Sequence, residues 1–288
     1  MSNEATQEPW GWIEDVDIGR LREARVQLHH ALQVPAALHA SRFAPREDQS
    51  ETAFSFQGCR FVSEGDPELG WRAALRIDTL EVALERSDGR SAGTLALEGR
   101  TLQDAYERFA ALLEAAAGPG PFRRLEAELP DHAVVRGAPF DRDVPALHAL
   151  CRLYADSAAT LERLRPELVR PSPIRVWPHH FDIAVLDDVD GGIGHAGQEP
   201  RSIGVGMTPG DEGVREPYLY VTPWPYPASA SLPELSEGRW STEGWVGAVL
   251  MLAELARDDV ARRGERVRAF LDGALRACRA SLDGGEGA

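Results

Sequence analysis

The sequence predicts an α+β protein, with one or more antiparallel sheets carrying helices packed on one face and an α-β-β-β-α order that is written twice. Two observations carry this. Apolar residues recur at helical spacing in four separated stretches, and between those stretches lie extended runs with period-two alternation, such as Phe54/Phe56 and Leu75/Ile77. With 288 residues, 43% of them hydrophobic, the chain is long enough to bury a substantial core.

Residues 1–14 read as a flexible tail and 283–288, with Gly284, Gly285 and Gly287, as a disordered end. The N-terminal half, 15–120, opens on a helical stripe of Leu21, Ala24, Leu28, Leu32 and Leu38 that Pro35 should break or kink. Extended segments follow at 52–62, 71–85 and 94–97. A second helix starts at Thr101 with Asp104 as capping partner, buries Leu102, Ala105, Phe109, Leu112 and Ala116, and ends at Gly118 and Pro119. Residues 121–142 read as a linker. The C-terminal half, 143–282, repeats the order: Asp143 and Pro145 open a helix with the stripe Leu147, Leu150, Tyr154, Ala158 and Leu161. Extended segments at 174–186, 202–207 and 216–222 come next. A long helical region from Ser241 carries Trp245, Val249, Leu252, Leu255 and Val260 and is interrupted at Gly264.

Composition removes several function classes. A net charge of -15 repels phosphate backbones and anionic lipid surfaces, which argues against nucleic-acid and membrane partners. Every basic residue other than histidine is arginine. Without lysine there is no Schiff base to pyridoxal phosphate and no P-loop lysine. The same bias fits a GC-rich genome. Cys59, Cys151 and Cys278 are far apart with no paired spacing, which suits reduced, buried thiols in a cytoplasmic protein. The start of the chain lacks the basic-then-apolar pattern of a signal peptide, and Trp245–Ala256 is too short to cross a bilayer.

Three motif matches fail on context. Gly89-Arg90-Ser91-Ala92-Gly93 has the nucleophile-elbow spacing but joins two extended segments, so it reads as a hairpin turn. Gly192-Ile193-Gly194-His195-Ala196-Gly197 spells a dinucleotide fingerprint, yet Glu199-Pro200 and another strand follow where a helix N-terminus is required, which argues against a nucleotide cofactor. Asp188-Val189-Asp190-Gly191 lacks the flanking carboxylates of a calcium loop.

The stretch with the most chemistry is Trp177-Pro178-His179-His180-Phe181-Asp182. On a strand, Trp177, His179 and Phe181 share a core face, and His180 and Asp182 share the other, ~6.6 Å apart at ~3.3 Å per residue. That spacing lets His180 and Asp182 converge on one divalent metal or one bound group. His-x-Asp is also two thirds of an iron-oxygenase facial triad, for which only His195 remains downstream as third ligand. The competing reading is a solvated sheet face or a local ion pair, and for His179 a core histidine. Further on, Gly210-Asp211, Glu216-Pro217-Tyr218 and Pro223-Trp224-Pro225-Tyr226-Pro227 combine rigid backbone with flat aromatic faces. Asp211, Tyr218, Trp224 and Tyr226, with Trp177, could line a pocket for a small ring-bearing or sugar-like ligand; a proline-aromatic loop covering the core is the plainer alternative.

Ser172-Pro173-Ile174, Trp177, Phe181-Asp182-Ile183-Ala184-Val185, Pro209-Gly210-Asp211, Glu216-Pro217 and Tyr220 occur in an order that resembles an uncharacterised bacterial domain-of-unknown-function family. The Ser87-Asp88-Gly89-Arg90 hairpin and the Thr101 helix look like that family's first half, so the resemblance spans most of residues 20 to 260. It brings no activity with it. A serine can stand in that family where this chain has His180, so the shared pattern rests on Trp177, Phe181, Asp182 and Glu216.

Two functions follow as expectations. One is a small-molecule enzyme, metal-assisted, with His180 as ligand or general base, Asp182 orienting or co-ligating it, and Glu216 or Asp211 as second carboxylate. The other is a non-catalytic binding or assembly protein using the Trp224/Tyr226 loop as its contact surface. Apart from these two, a blander outcome is a homodimer joined through the C-terminal helices or a sheet edge, with no small ligand.

Overall fold

A computed structural model describes residues 9–46, 49–66, 68, 70–192 and 199–284. The protein is α+β with antiparallel strand pairing. It divides into two compact units: an N-terminal unit of residues 17–155 and 175–182, and a C-terminal unit of residues 1–16, 156–174 and 183–288.

In the N-terminal unit, α1 (Ile18–Arg42) is capped by the Asp17 side chain and leads to five strands: β1 (Phe54–Phe56), β2 (Arg60–Ser63), β3 (Trp71–Arg76), β4 (Glu81–Arg86) and β5 (Ser91–Ala96). They pair in sequence order as an antiparallel meander, with β6 (Arg175–Val176) added beside β1. Cross-strand partners Phe56 and Phe61 lie on the face that receives α1 and the middle of α3 (Val144–Leu164), where Tyr154 packs edge-on to Phe61 at 4.8 Å. Helix α2 (Leu102–Ala117) packs on α1 and β5. It begins as its sequence predicts, the Thr101 hydroxyl accepting the Asp104 backbone N–H at 3.1 Å.

The C-terminal unit holds a second antiparallel ladder. Strands β7 (Ile183–Asp188), β8 (Ser202–Thr208), β9 (Tyr218–Trp224), β10 (Arg239–Ser241) and β11 (Gly247–Met251) are arranged β7-β8-β9-β11-β10. After a short turn of helix, α4 (Leu252–Leu255), the long α5 (Val260–Gly284) lies on β8, β9 and β11.

Several expectations are corrected. Helix α1 is not broken at Pro35 but continues to Arg42, since a single missing N–H is outweighed by burial of the side chains from Ala24 to His39. The extended segment 52–62 is two strands separated by left-handed Gly58 and Cys59, and 71–85 is likewise two, so the first half has five strands rather than three. The helical region does not begin at Ser241: Gly247–Met251 is a strand buried at all five positions, since a short apolar run without polar alternation fits a buried strand as well as a helix, and helix starts only at Leu252. Gly264 does not interrupt α5.

Residues 9–14 are not a loose tail. A 3-10 turn (Gly11–Asp15) buries Trp10, and both the Trp10 backbone N–H and the Trp12 indole donate to Asp156, at 2.9 and 2.7 Å. The fully buried Arg263 donates to the carbonyls of Trp10 and Asp258 and pairs with Glu14. The 121–142 segment is also anchored, with Val134 and Phe140 buried. At the other terminus α5 extends to Gly284, beyond where the chain was expected to fray.

The expectation of three reduced cysteines is overturned as well. Cys59, in the β1–β2 turn, and Cys151, on α3, form a disulfide with Cα atoms 5.1 Å apart. A separation of 92 residues hides such a pair from spacing arguments. Cys278 is free, and burial pushes its thiol up to about 12.

Candidate functional site

The continuous strand expected through Trp177–Asp182 is a turn. Strand β6 stops at Val176, where the following Pro178 has no N–H to donate to a ladder. The Phe181 N–H donates back to the Trp177 carbonyl at 2.7 Å and the Trp177 N–H to the Asp182 carbonyl at 3.0 Å. Phe181 takes a left-handed φ of 58°, which its side-chain burial fixes. Its ring stacks on His29 at 4.8 Å and meets Tyr154 and Phe61 edge-on, while the Tyr154 hydroxyl donates to the Phe181 carbonyl at 2.7 Å.

The turn redistributes the residues that strand alternation had paired. His179 is half-buried rather than a core residue, His180 is exposed, and Asp182 is buried at 8%. The strand face that was to carry His180 and Asp182 side by side is absent. Trp177 is half-buried, its ring 5.8 Å from that of His179.

What the sequence reading missed is the polar side of α1. Arg25, His29 and Gln33 follow one another at i, i+4 spacing, which reads as a solvated stripe, yet all three are buried with Gln27 and His30. Nε2 of His29 and the Gln33 amide both donate to the Pro178 carbonyl, at 2.9 and 2.7 Å. His30 donates to the Pro130 carbonyl and Gln27 exchanges two hydrogen bonds with the Asp141 backbone. Burial pushes His29 down to about 3 and His179 to about 4, lowers His30, and holds the Tyr154 phenol well above its usual range, with the Asp182 charge adding to that rise. At neutral pH His29, His30 and Tyr154 are uncharged donors that fasten loops.

In the C-terminal unit the remaining predicted residues fall at opposite ends of β9. At its start, Asp211 closes its own loop by accepting the Val214 N–H at 2.6 Å and takes the Tyr218 hydroxyl on its other oxygen. Gly210, with φ of 111°, would set a Cβ 3.0 Å from the Arg215 carbonyl carbon, so only glycine fits there. Glu216 is half-buried and Tyr218 buried. Trp224 ends the strand, ~20 Å away over six residue steps. The structure therefore does not bring Asp211, Glu216 and Tyr218 together with Trp224 and Tyr226.

Trp224 and Tyr226 do come together. Their rings stand edge-to-face, centroids 5.0 Å apart, with 43% and 46% of their surfaces exposed. They are the exposed large aromatics of the described residues. Pro223, Pro225 and Pro227 alternate with them and restrict the backbone. Neither the Trp224 indole N–H nor the Tyr226 hydroxyl has a hydrogen-bond partner among the described residues.

No group of three or more His, Cys, Asp or Glu among the described residues is placed to hold a metal ion, and no described helix is long and apolar enough to cross a membrane. His195, the remaining triad candidate, and most of the glycine-rich loop lie outside the described residues. Comparison with family models, curated proteins and solved structures found no match.

Proposed function

We propose that the protein is a non-catalytic binding module that holds a ring-bearing, sugar-like small molecule against Trp224 and Tyr226. The observation that carries this reading is the exposed aromatic pair itself. The same unit buries Trp10 to 1%, yet leaves two large rings in water on a proline-stiffened segment. Such rings offer flat apolar faces to the C–H side of a sugar, while the indole N–H and phenol are available to its hydroxyls. A neutral ligand is also indifferent to the net charge of -15.

Isothermal titration of the full chain with cellohexaose, maltohexaose and xylohexaose tests it. At least one should bind, Trp224→Ala should weaken that binding tenfold or more, and His180→Ala should leave it unchanged. Absence of binding to all three, or equal binding by Trp224→Ala, would overturn the reading.

A second reading is a small-molecule enzyme assisted by a divalent metal at His180 and Asp182, resting on an exposed imidazole and a buried carboxylate two residues apart in one turn. It predicts near-stoichiometric metal in the purified protein, lost in His180→Ala and Asp182→Ala; a metal-free protein sinks it. The resemblance to a bacterial family, a cytoplasmic location and a homodimer go with either reading. Thiol labelling of cells, reporting whether Cys59 and Cys151 are bonded, tests the location, and light scattering tests the dimer.

A further inference from the structure

The C-terminal unit contains a cavity of about 240 Å³ that lies away from the aromatic pair in the sequence, between the Trp10 strap, the last turns of α3 and the first half of α5. Its walls are mainly apolar, with Trp10, Leu164, Val267 and Leu271 contributing. We infer that this cavity is a second ligand site, for a carboxylic acid carrying one aromatic ring.

Charge argues for the carboxylate. Two guanidinium groups, Arg163 and Arg268, border the cavity. Arg268 is already matched, bonding to Asp272 at 2.9 Å and to Glu167. Arg163 is not. Among the described residues its hydrogen bond runs to the Ala159 carbonyl of its own helix and no acidic group pairs with it, although acids outnumber bases 46 to 31 in the chain. An uncommitted guanidinium at an apolar mouth is a fork for a carboxylate whose body goes inside.

Size and shape argue for the ring. An apolar cavity of about 150 Å³ accepts benzene, so 240 Å³ has room for a ring with a short acid side chain. Gly264 supplies an independent observation. It sits inside α5 on the cavity wall, where glycine is less favourable than alanine. Among the described residues nothing requires glycine there, because a Cβ at this position would meet none of their atoms within 4 Å. A bare helix backbone with open space beside it is what close approach of a ligand calls for.

Calorimetric titration of the full-length protein with phenylacetate, and with its neutral counterpart phenylacetamide, tests the inference. Phenylacetate should bind, with the amide at least tenfold weaker. Arg163→Gln should cost the acid tenfold or more and remove its advantage over the amide, while Gly264→Leu should fill the cavity and abolish binding of both. Should Gly264→Leu fail to fold by circular dichroism, the Arg163→Gln comparison decides alone. No heat from phenylacetate in the wild type, equal affinity for acid and amide, or an Arg163→Gln variant that binds the acid like wild type would each overturn the assignment.

Discussion

At the scale of single residues, burial decides what a polar side chain can do. Arg263 is charged and fully buried, so its worth lies in the carbonyls of Trp10 and Asp258 and the carboxylate of Glu14 that it satisfies. Arg263→Ala should cost roughly 1–3 kcal/mol, because it leaves the buried Trp10 carbonyl without its donor and releases the N-terminal strap. Urea unfolding of the variant measures this, and a loss below 1 kcal/mol would contradict it. His180 shows the opposite limit. It was expected to act with Asp182 on a strand face, but the chain turns there and leaves its ring exposed. Residue identities were legible in the sequence; their burial was not, since Arg25, His29 and Gln33 have a polar spacing indistinguishable from a solvated face.

At the scale of elements, the parts with local signals were readable. The Thr101 cap, the Gly89 hairpin and the start of α3 at Asp143 each rest on chemistry within four residues. Where the outcome depended on distant packing, the sequence reading failed. Gly247–Met251 becomes a strand because β9 and β10 flank it, and Trp177–Asp182 becomes a turn because Phe181 finds His29, Phe61 and Tyr154. The Cys59–Cys151 link between a hairpin turn and α3 is another long-range feature. Closing a loop of 92 residues, it should contribute about 2–4 kcal/mol, so dithiothreitol or Cys151→Ser should lower the urea midpoint. A wild-type midpoint unmoved by reductant would show that the bond adds nothing.

At the scale of the whole molecule, the buried histidines give stability a direction with pH. Burial holds His29 at about 3 and His39 at about 4, against 6.5 for an unperturbed ring. Above pH 6.5 these rings are neutral in both states and add no dependence. Between pH 6.5 and about 4 the unfolded chain takes up protons that the folded one refuses, so stability falls as pH falls, by about 1.4 kcal/mol per unit for each ring. Unfolding midpoints at pH 7, 6 and 5 should therefore decline, and His39→Gln should make the decline shallower; an unchanged slope would contradict this.

The α+β class was legible because it needs only the alternation of helical and extended periods. The functional surface was half legible. Proline and aromatic residues marked 223–227, but nothing local to the sequence tells that Trp224 and Tyr226 stay in water while Tyr218, six residues before Trp224 on the same strand, is buried against Asp211. The most direct test is the dissociation constant of the wild type and of Trp224→Ala for whichever hexasaccharide binds. A rise of tenfold or more, equivalent to about 1.4 kcal/mol, is expected for the variant. Equal constants would contradict the assignment of this pair as the binding surface.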